Sequence, residues 1–261
     1  MKGFLEEYGL IIVVVAVILL MLLFGKSGYA KSIQDAILGS TNHIVETGEN
    51  ITKKEVHVTT GDVLGIEENV YFVLEERGDN QALVMPYKIN SIGERRFQAY
   101  TSNGLRQDGQ YINTYEGSEI DNYLENDWYK GLSAKMQSAI QTTDIKQASY
   151  AMYNDPDSKQ ETGYNGQVYN TISRHVFLPS VSEIGKAVDL KSPDKVKAFL
   201  SGTSIWTRDS NQGADSVVEY LNADRGSLRG FDVYDTWYVC PAFVIDLSKV
   251  DYTEVEHVDY K

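Results

Sequence analysis

SIWTRDSNQGADSVVEYLNADRGSLRGFDVYDTWYVCPAFVIDLS, residues 204–248, is the segment from which the architecture is best inferred. It contains short runs rich in Val, Ile, Tyr and Trp, the residue types that are enriched in strands. Turn-forming residues interrupt these runs at Asn211–Gly213 and at Asp224–Gly226. We therefore expect a series of short strands, connected by tight turns, near the end of the chain.

The preceding segments predict strands and then helices. Residues 69–89, NVYFVLEERGDNQALVMPYKI, predict two strands around a turn at Gly78-Asp79-Asn80. Residues 117–140 predict two helices, because their apolar residues recur at helical spacing. Helices near the middle and strands on both sides of them predict an α+β fold class for this part of the chain.

The N-terminal segment has a different character. Residues 9–24 carry no charged side chain. At about 1.5 Å per residue this run reaches roughly 24 Å, against about 30 Å for the hydrocarbon core of a bilayer. An apolar stripe continues beyond the run, which predicts one long N-terminal hydrophobic helix. The expected parts of the chain are this helix (1–39), a polar linker (40–54), a single domain (55–250) and an acidic tail (251–261).

Two other interpretations of the N-terminal run stay open. Gly28-Tyr29-Ala30 could supply a signal-peptide cleavage site, although Glu6 and Glu7 do not fit the basic start of a signal peptide. The run could also be a plain membrane anchor. Lys26 and Lys31 follow the run and weigh against a C-terminal domain outside the cell, because lysines favour the cytoplasmic side.

The start of the run resembles a known family. Glu7-Tyr8-Gly9-Leu10-Ile11, followed by Val, Ala, Ile and Leu, resembles the start of Flp pilins, the type IV-like pilins of tight-adherence systems. The resemblance implies processing after Gly3, with a spacing to Glu7 that is one residue shorter than in the family. It also implies that Glu7 and Tyr8 contact the membrane or neighbouring pilin subunits in a filament. Solvated carboxylates at the lipid interface are the alternative.

A second resemblance covers most of residues 55–250. The order of YLEN at 123–126, VFLPS at 176–180, IWTRDS at 205–210 and VCPAF at 239–243 is similar to an uncharacterised domain family of Gram-positive gut bacteria. That resemblance implies a C-type-lectin-like domain, related in fold to formylglycine-generating enzymes. Some domains of this fold are targets of diversity-generating retroelements, which vary a surface near the C-terminus. Cys240 replaces the arginine that precedes proline in the family.

Composition disfavours several function classes. The net charge of −13 repels phosphate backbones, so we expect no nucleic-acid partner. Cys240 is the single cysteine and lies in an apolar run, so we expect a buried, inert thiol. No histidine has zinc-ligand spacing, and no nucleotide-binding or nucleophile motif is present. We expect no enzyme activity, no cofactor and no metal, with a calcium site at 154–157 as an alternative to a simple turn.

The last 60 residues of the domain hold the predicted ligand-binding face. Tyr, Trp, Arg, Asn and Asp are favoured at recognition surfaces, because rings give contact area at low entropic cost and short polar groups adapt their hydrogen bonds. A strand-rich core with alternate aromatic residues is the alternative. The candidate residues are Trp206, Arg208, Asp209, Asn211, Tyr220, Asn222, Asp224, Arg229, Asp232, Tyr234, Asp235 and Trp237.

These observations predict a surface-displayed binding or adhesion protein. The expected location is the cell membrane, with a single pass and the domain outside, or a pilus in which the chain is a minor subunit at the tip. The expected partners are the membrane, other pilin subunits and an unknown protein or glycan ligand. Two alternatives stay open: an anchored receptor or sensor outside any pilus, and an enzyme related to the formylglycine group with Cys240 as its nucleophile.

Overall fold

The structure, a computed structural model, describes residues 57–88, 93–147, 161–162, 168–211 and 214–261. These residues belong to one compact unit that extends from Glu55 to Lys261. Within these described residues the fold is mostly β-sheet, with 41% strand and 21% helix. The strands are β1 (Asp62–Ile66), β2 (Asn69–Gly78), β3 (Gln81–Pro86), β4 (Glu94–Arg96), β5 (Ile140–Gln141), β6 (Thr143–Gln147), β7 (Glu161–Thr162), β8 (Val168–Arg174), β9 (Ile205–Ser210), β10 (Val217–Asn222), β11 (Ser227–Asp232), β12 (Thr236–Tyr238), β13 (Phe243–Asp246) and β14 (Tyr252–His257).

The helices are short. Two of them, α1 (Glu119–Tyr123) and α2 (Tyr129–Gly131), are joined by a π-helical turn (Leu124–Trp128) into one continuous helical segment. The remaining helices are α3 (Ala134–Ala139), α4 (Val181–Ala187) and α5 (Pro193–Leu200), with a 3₁₀ turn at Leu247–Lys249. Ser118, Ser133 and Ser180 cap α1, α3 and α4, each accepting a hydrogen bond from a backbone N–H of the first turn.

The strands form three sheets. The first has six strands in the order β14-β1-β2-β3-β13-β5, the second has five in the order β11-β10-β9-β12-β4, and the third has three in the order β6-β8-β7. All described strand pairs are antiparallel except β9 and β12, which are parallel where Ile205 faces Tyr238. The predicted β2–β3 hairpin is confirmed, but its turn is shorter than the expected Gly78-Asp79-Asn80, because Gly78 pairs with Gln81 and only Asp79 and Asn80 form the turn.

One apolar core connects the two larger sheets. Phe72 of β2 and Phe243 of β13 come from the first sheet, and Trp206 of β9 comes from the second, and all three are fully buried in the same cluster. The segment after β8 adds Phe177, which pairs with Ala242 through an isolated bridge. The second sheet is therefore fixed to the first through shared side chains and does not form a separate domain.

The predicted fold class is wrong. We expected an α+β chain with a long N-terminal hydrophobic helix and a single C-type-lectin-like domain, but strands occupy about twice the share of helices. The predicted helices of residues 117–140 are broken at Leu132 and Ser133, and Ile140 pairs in β5. Among the described residues, no helix is long and apolar enough to cross a membrane. The helix expected over residues 1–39, with Gly3, Glu7 and Tyr8, and the linker of residues 40–54 lie outside the described residues.

The last eleven residues are part of the fold. Residues 251–261, expected as an acidic tail, contain β14, which pairs with β1 along the edge of the six-stranded sheet. Tyr260 is 8% exposed, and its ring lies 5.6 Å from Phe72 and 5.7 Å from Phe199. The end of the chain therefore closes one side of the core.

Candidate functional site

β9 supplies three of the predicted ligand-binding residues, and all three are buried. Trp206 is fully buried, and its indole N–H donates to the backbone carbonyl of Arg95 at 2.9 Å. Arg208 is 2% exposed and Asp209 is fully buried. These residues are parts of the interior and do not form a ligand-binding surface.

Arg208 forms a bidentate ion pair inside the protein. Its two terminal nitrogens donate to the carboxylate of Glu183 at 2.6 and 2.8 Å, and Nε donates to the carbonyl of Lys146 at 2.6 Å. Burial alone would raise the pKa of Glu183, but the positive charge of Arg208 and several hydrogen bonds outweigh burial and hold that pKa below its usual value. The pair joins α4 to the five-stranded sheet.

Asp209 has a related structural role. Its carboxylate accepts a hydrogen bond at 2.6 Å from the backbone N–H of Val181, the first residue of α4. Ser180 and Glu183 complete the same helix start with a capping box. Adjacent side chains of β9 therefore hold the beginning and the first turn of one helix, which explains why charged residues are buried there.

Three more predicted residues lie around β10 and have partners within the fold. The ring of Tyr220 is 4% exposed, and its hydroxyl accepts a hydrogen bond from the Asn222 side chain at 3.0 Å. The side-chain oxygen of Asn222 in turn accepts a hydrogen bond from the backbone N–H of Arg225, which shapes the β10–β11 turn. Asn211 donates to Glu219 at 2.7 Å. Their polar atoms form hydrogen bonds within the sheet and its turns.

The remaining predicted residues reach the surface. Asp224, Arg229 and Tyr234 are exposed, while Asp232, Asp235 and Trp237 are partly buried. Most of them lie on or between β11 and β12. We call this region the β11–β12 surface and define it by Tyr100, Arg229, Phe231, Asp232, Tyr234, Asp235 and Trp237.

A row of rings leads from this surface to the core. Phe231 is 37% exposed and packs edge-on against Trp237, with 5.2 Å between ring centroids. Trp237 stacks on Tyr220 at 4.9 Å, and Tyr220 contacts Trp206 at 6.2 Å. Trp206 in turn contacts the buried ring of Phe97 at 6.0 Å. The outer rings are thus supported from behind and are held in fixed positions.

A second aromatic pair belongs to the same surface. Tyr100 and Tyr234 are 63% and 40% exposed, and their rings meet edge-to-face at 5.3 Å. A hydrogen bond to Asp232, together with the negative charges of Asp232 and Asp235, raises the pKa of Tyr234. The carbonyl of Val233 accepts hydrogen bonds from the backbone N–H groups of residues 97 and 98, which ties the Tyr100 segment to the β11–β12 turn.

Two members of this surface were missed in the sequence. Phe231 lies within the predicted region, but strand alternation alone does not say which of its aromatic residues point outwards. Tyr100 lies in a polar, turn-rich stretch more than 100 residues before its partner Tyr234, and nothing in the local pattern connects the two. The contact between them is a product of the tertiary fold.

The residues considered for catalysis or metal binding do not lie on the β11–β12 surface. Cys240 is fully buried, and burial raises the pKa of its thiol far above the usual range. His257 pairs with Asp62 through Nδ1 at 2.7 Å. In the part of the chain that the structure describes, no group of three or more His, Cys, Asp or Glu side chains could hold a metal ion. The calcium candidate at residues 154–157 lies outside that part.

A shallow cleft of about 590 Å³ lies beside α4 and contains none of the predicted ligand-binding residues. Three lysines line it, but Lys186 pairs with Glu75 and Lys261 donates to the carbonyl of Gly185. Its cationic groups are therefore partly used by the fold, and the β11–β12 surface remains the better candidate for recognition.

Comparison with known protein families assigns the chain to one of them. Residues 79–247, about two thirds of the sequence, match a family described as a domain of unknown function (DUF6273). The chain belongs to that family. The matched region contains β9, the Glu183–Arg208 pair and the whole β11–β12 surface. No curated protein and no solved structure matches the chain significantly.

Proposed function

We propose that the domain is a recognition module that binds a partner through the β11–β12 surface. The observation that carries this proposal is the ring row from Phe231 through Trp237 and Tyr220 to Trp206. Because of this row, the aromatic groups on the β11–β12 surface cannot rearrange freely. Binding then orders few additional side-chain torsions, so little conformational entropy is lost on association.

The chemistry around the rings suits recognition of a partly polar partner. Arg229, Asp232 and Asp235 place charges of both signs next to the aromatic groups. Aromatic residues dominate the energetics of interfaces, while adjacent charges set orientation and specificity. We propose a protein or a glycan as the ligand, since both present apolar faces edged by hydrogen-bonding groups.

We further propose that this recognition serves adhesion at the cell surface. The resemblance of residues 6–38 to Flp pilins supports display on a membrane or as a minor subunit at the tip of a pilus. The two settings differ in an observable way. If the chain is a pilus subunit, it appears in sheared filaments and is lost from them in cells that lack the pilus assembly ATPase, whereas a membrane-anchored receptor stays with the cells.

Binding can be tested with a double substitution of the exposed tyrosine pair, Tyr100→Ala with Tyr234→Ala. The labelled full-length protein is applied to a glycan microarray and to a panel of immobilised extracellular-matrix proteins. We expect at least one specific signal from the unaltered protein. If the pair is an interface hot spot worth about 2 kcal/mol, the double variant should bind about 30-fold more weakly.

Val255→Ser is the matched control. Val255 is 56% exposed, so this change also removes exposed apolar area, but it lies on β14 in the other large sheet. Unchanged binding by this variant, with unchanged unfolding temperatures for both proteins, would locate the effect at the β11–β12 surface. Equal losses in both variants, or no loss in either, would contradict the proposal.

A further inference from the structure

A second group of side chains lies together around the end of β8, with no residue in common with the β11–β12 surface. It consists of Glu125, Tyr129, Thr142 and His175. The Thr142 hydroxyl lies 3.1 Å from Nε2 of His175, and Nδ1 of His175 lies 3.1 Å from Oε2 of Glu125. A hydroxyl, an imidazole and a carboxylate are thus connected in a line.

The carboxylate of Glu125 is held in place by the backbone. Its Oε1 accepts hydrogen bonds from the backbone N–H groups of His175 and Val176, at 2.5 and 2.9 Å. Its other oxygen is directed to the imidazole of His175. When Glu125 is ionised and the imidazole is neutral, the carboxylate can only accept, which requires the proton on Nδ1 and directs the lone pair of Nε2 to Thr142.

The imidazole plane is fixed as well. Tyr129 stacks on His175 with 4.5 Å between ring centroids and 9° between planes. The Tyr129 hydroxyl donates to the backbone carbonyl of Gln137 at 3.2 Å, which anchors the stacked ring. The base is therefore oriented by a carboxylate at one edge and by an aromatic face. A nucleophile, a base and a group that orients the base are the parts that hydroxyl-based covalent catalysis requires.

The hydroxyl end of the line is open to solvent. Thr142 is exposed between β5 and β6, whereas the side chain of His175 is 36% exposed and that of Glu125 is 20% exposed. Accessibility thus increases from the carboxylate to the hydroxyl. A substrate can approach Thr142 without displacing the groups behind it.

We propose that Thr142 is a nucleophile for activated acyl groups, that His175 is its general base and that Glu125 and Tyr129 are positioning residues. The substrate class is an activated ester or thioester. The Thr142 oxygen attacks the acyl carbon while its proton moves to Nε2 of His175. The tetrahedral intermediate expels the alkoxide or thiolate, which takes that proton and leaves an acyl ester on Thr142. Water, activated by the same nitrogen, releases the carboxylic acid and restores the hydroxyl.

Neighbouring hydroxyl groups provide a comparison within the chain. Thr143 donates to the carbonyl of Gln141, and Ser173 donates to the carboxylate of Asp144. Neither of these contacts involves an imidazole. Ser173 is exposed like Thr142, whereas Thr143 is partly buried. If hydroxyl reactivity depended only on exposure, Ser173 would react as readily as Thr142, so selective reaction at Thr142 reports the effect of His175.

The test uses the full chain with p-nitrophenyl acetate, read by p-nitrophenolate release and by mass spectrometry of protease-derived peptides. We expect one acetyl group on the Thr142 peptide. Thr142→Ala should abolish acetylation of this peptide, and His175→Gln should slow it by about 100-fold, the low end for general base catalysis. Thr142→Ser should retain the reaction, and Thr143→Ala should react like the unaltered protein.

Glu125→Gln tests the positioning role with a readout other than rate. The amide group would donate to Nδ1, so the proton of His175 should move to Nε2, and ¹⁵N NMR of the ring reports this change of tautomer. We expect the tautomer change together with slower acetylation. Acetylation at other hydroxyls, no acetylation at all, or equal rates for His175→Gln and the unaltered protein would overturn the proposal. So would an unchanged tautomer and rate in Glu125→Gln.

Discussion

Glu183 joins two kinds of stabilisation in one side chain. Its Oε2 accepts from the backbone N–H of Ser180 in the capping box at 2.9 Å and also from Arg208 at 2.6 Å. Removing one member of a buried ion pair is costly, because the other charge stays buried without compensation. A single carboxylate thus supports both the start of α4 and the charge of Arg208 within the core.

Glu183→Gln should lower the free energy of unfolding by about 3–5 kcal/mol at neutral pH. The pKa of Glu183 is lowered in the folded state, so its contribution is complete above its unfolded pKa and is lost as pH falls through the folded value. Urea unfolding between pH 7 and pH 3 should therefore show a weaker loss of stability with acid in the variant. A parallel pH dependence in both proteins would contradict this.

Glu219 provides a control, because its ionisation should change the free energy of unfolding in the opposite direction. Burial raises its pKa, only partly offset by the hydrogen bond from Asn211, so its ionised form opposes folding once pH rises above its unfolded pKa. Glu219→Gln should accordingly leave stability unchanged or increase it at neutral pH, where Glu183→Gln decreases it. The two substitutions remove the same charge, so a difference in sign isolates the ion pair.

The ligand-binding residues predicted from the sequence include part of the β11–β12 surface, but they also include residues that are buried in the interior. Arg229, Asp232 and Asp235 were among the candidates, and they do reach solvent at least in part. Arg208 and Asp209 have the same residue types but lie in β9, a strand buried along its whole length. Composition does not separate these cases, because a polar residue suits the interior whenever another element supplies its partner.

Among the elements, the β2–β3 hairpin shows the closest link between sequence and geometry. Asp79 and Asn80 have φ angles of 49° and 63°, and Gly78 faces Gln81 across the turn. Positive φ at both central residues matches the twist of the flanking strands, and Asn and Asp tolerate it better than most residues. The turn therefore fixes the register of a strand pair at the centre of the six-stranded sheet.

Substitutions at Asn80 should change stability in a predictable order. Asn80→Gly should increase the free energy of unfolding by a few tenths of a kcal/mol, whereas Asn80→Ala should decrease it by about 1 kcal/mol, because alanine pays the steric cost of the left-handed conformation. Chemical denaturation measures both. An alanine variant as stable as the glycine variant would show that the turn does not require this conformation.

Strands and helices differed in how well the sequence indicated them. Strands within residues 69–89 and 204–248 were expected from β-branched and aromatic runs, and the structure has β2, β3 and β9 to β13 there. The helices of residues 117–140 proved shorter than expected, because Ser133 starts a new helix and Ile140 joins β13 in a sheet. β4, with the sequence Glu-Arg-Arg, has no local strand signal and exists through its pairing with β12.

For the molecule as a whole, sheet order is the property that the sequence did not indicate. β13 pairs with β3, and β14 pairs with β1, so the end of the chain returns to its described beginning. Such pairings join residues more than 150 positions apart, and no local pattern encodes them. The error in fold class follows from this, because the long-range sheets, and not the short helices, organise the core.

Deleting residues 251–261 should therefore destabilise the protein severely. The deletion removes β14 and the Tyr260 ring that contacts Phe72 and Phe199. Tyr260→Ala alone should cost about 3–5 kcal/mol, by analogy with other large-to-alanine changes in cores. Thermal unfolding and solubility of the full chain measure both effects. A deletion variant with an unchanged melting temperature would mean that this segment is a dispensable tail.

Because the ring row contains two tryptophans, binding at the β11–β12 surface can be followed by intrinsic fluorescence. Trp206 is fully buried, and Trp237 is partly exposed next to Phe231 in the same row, so their indoles emit from different surroundings. A partner that covers Phe231 and Trp237 should shift the emission of the outer indole to shorter wavelength and protect it from iodide quenching. The third tryptophan, Trp128, packs against Phe243 in the other large sheet and should not respond, so the part of the native emission that shifts would report occupancy at the β11–β12 surface.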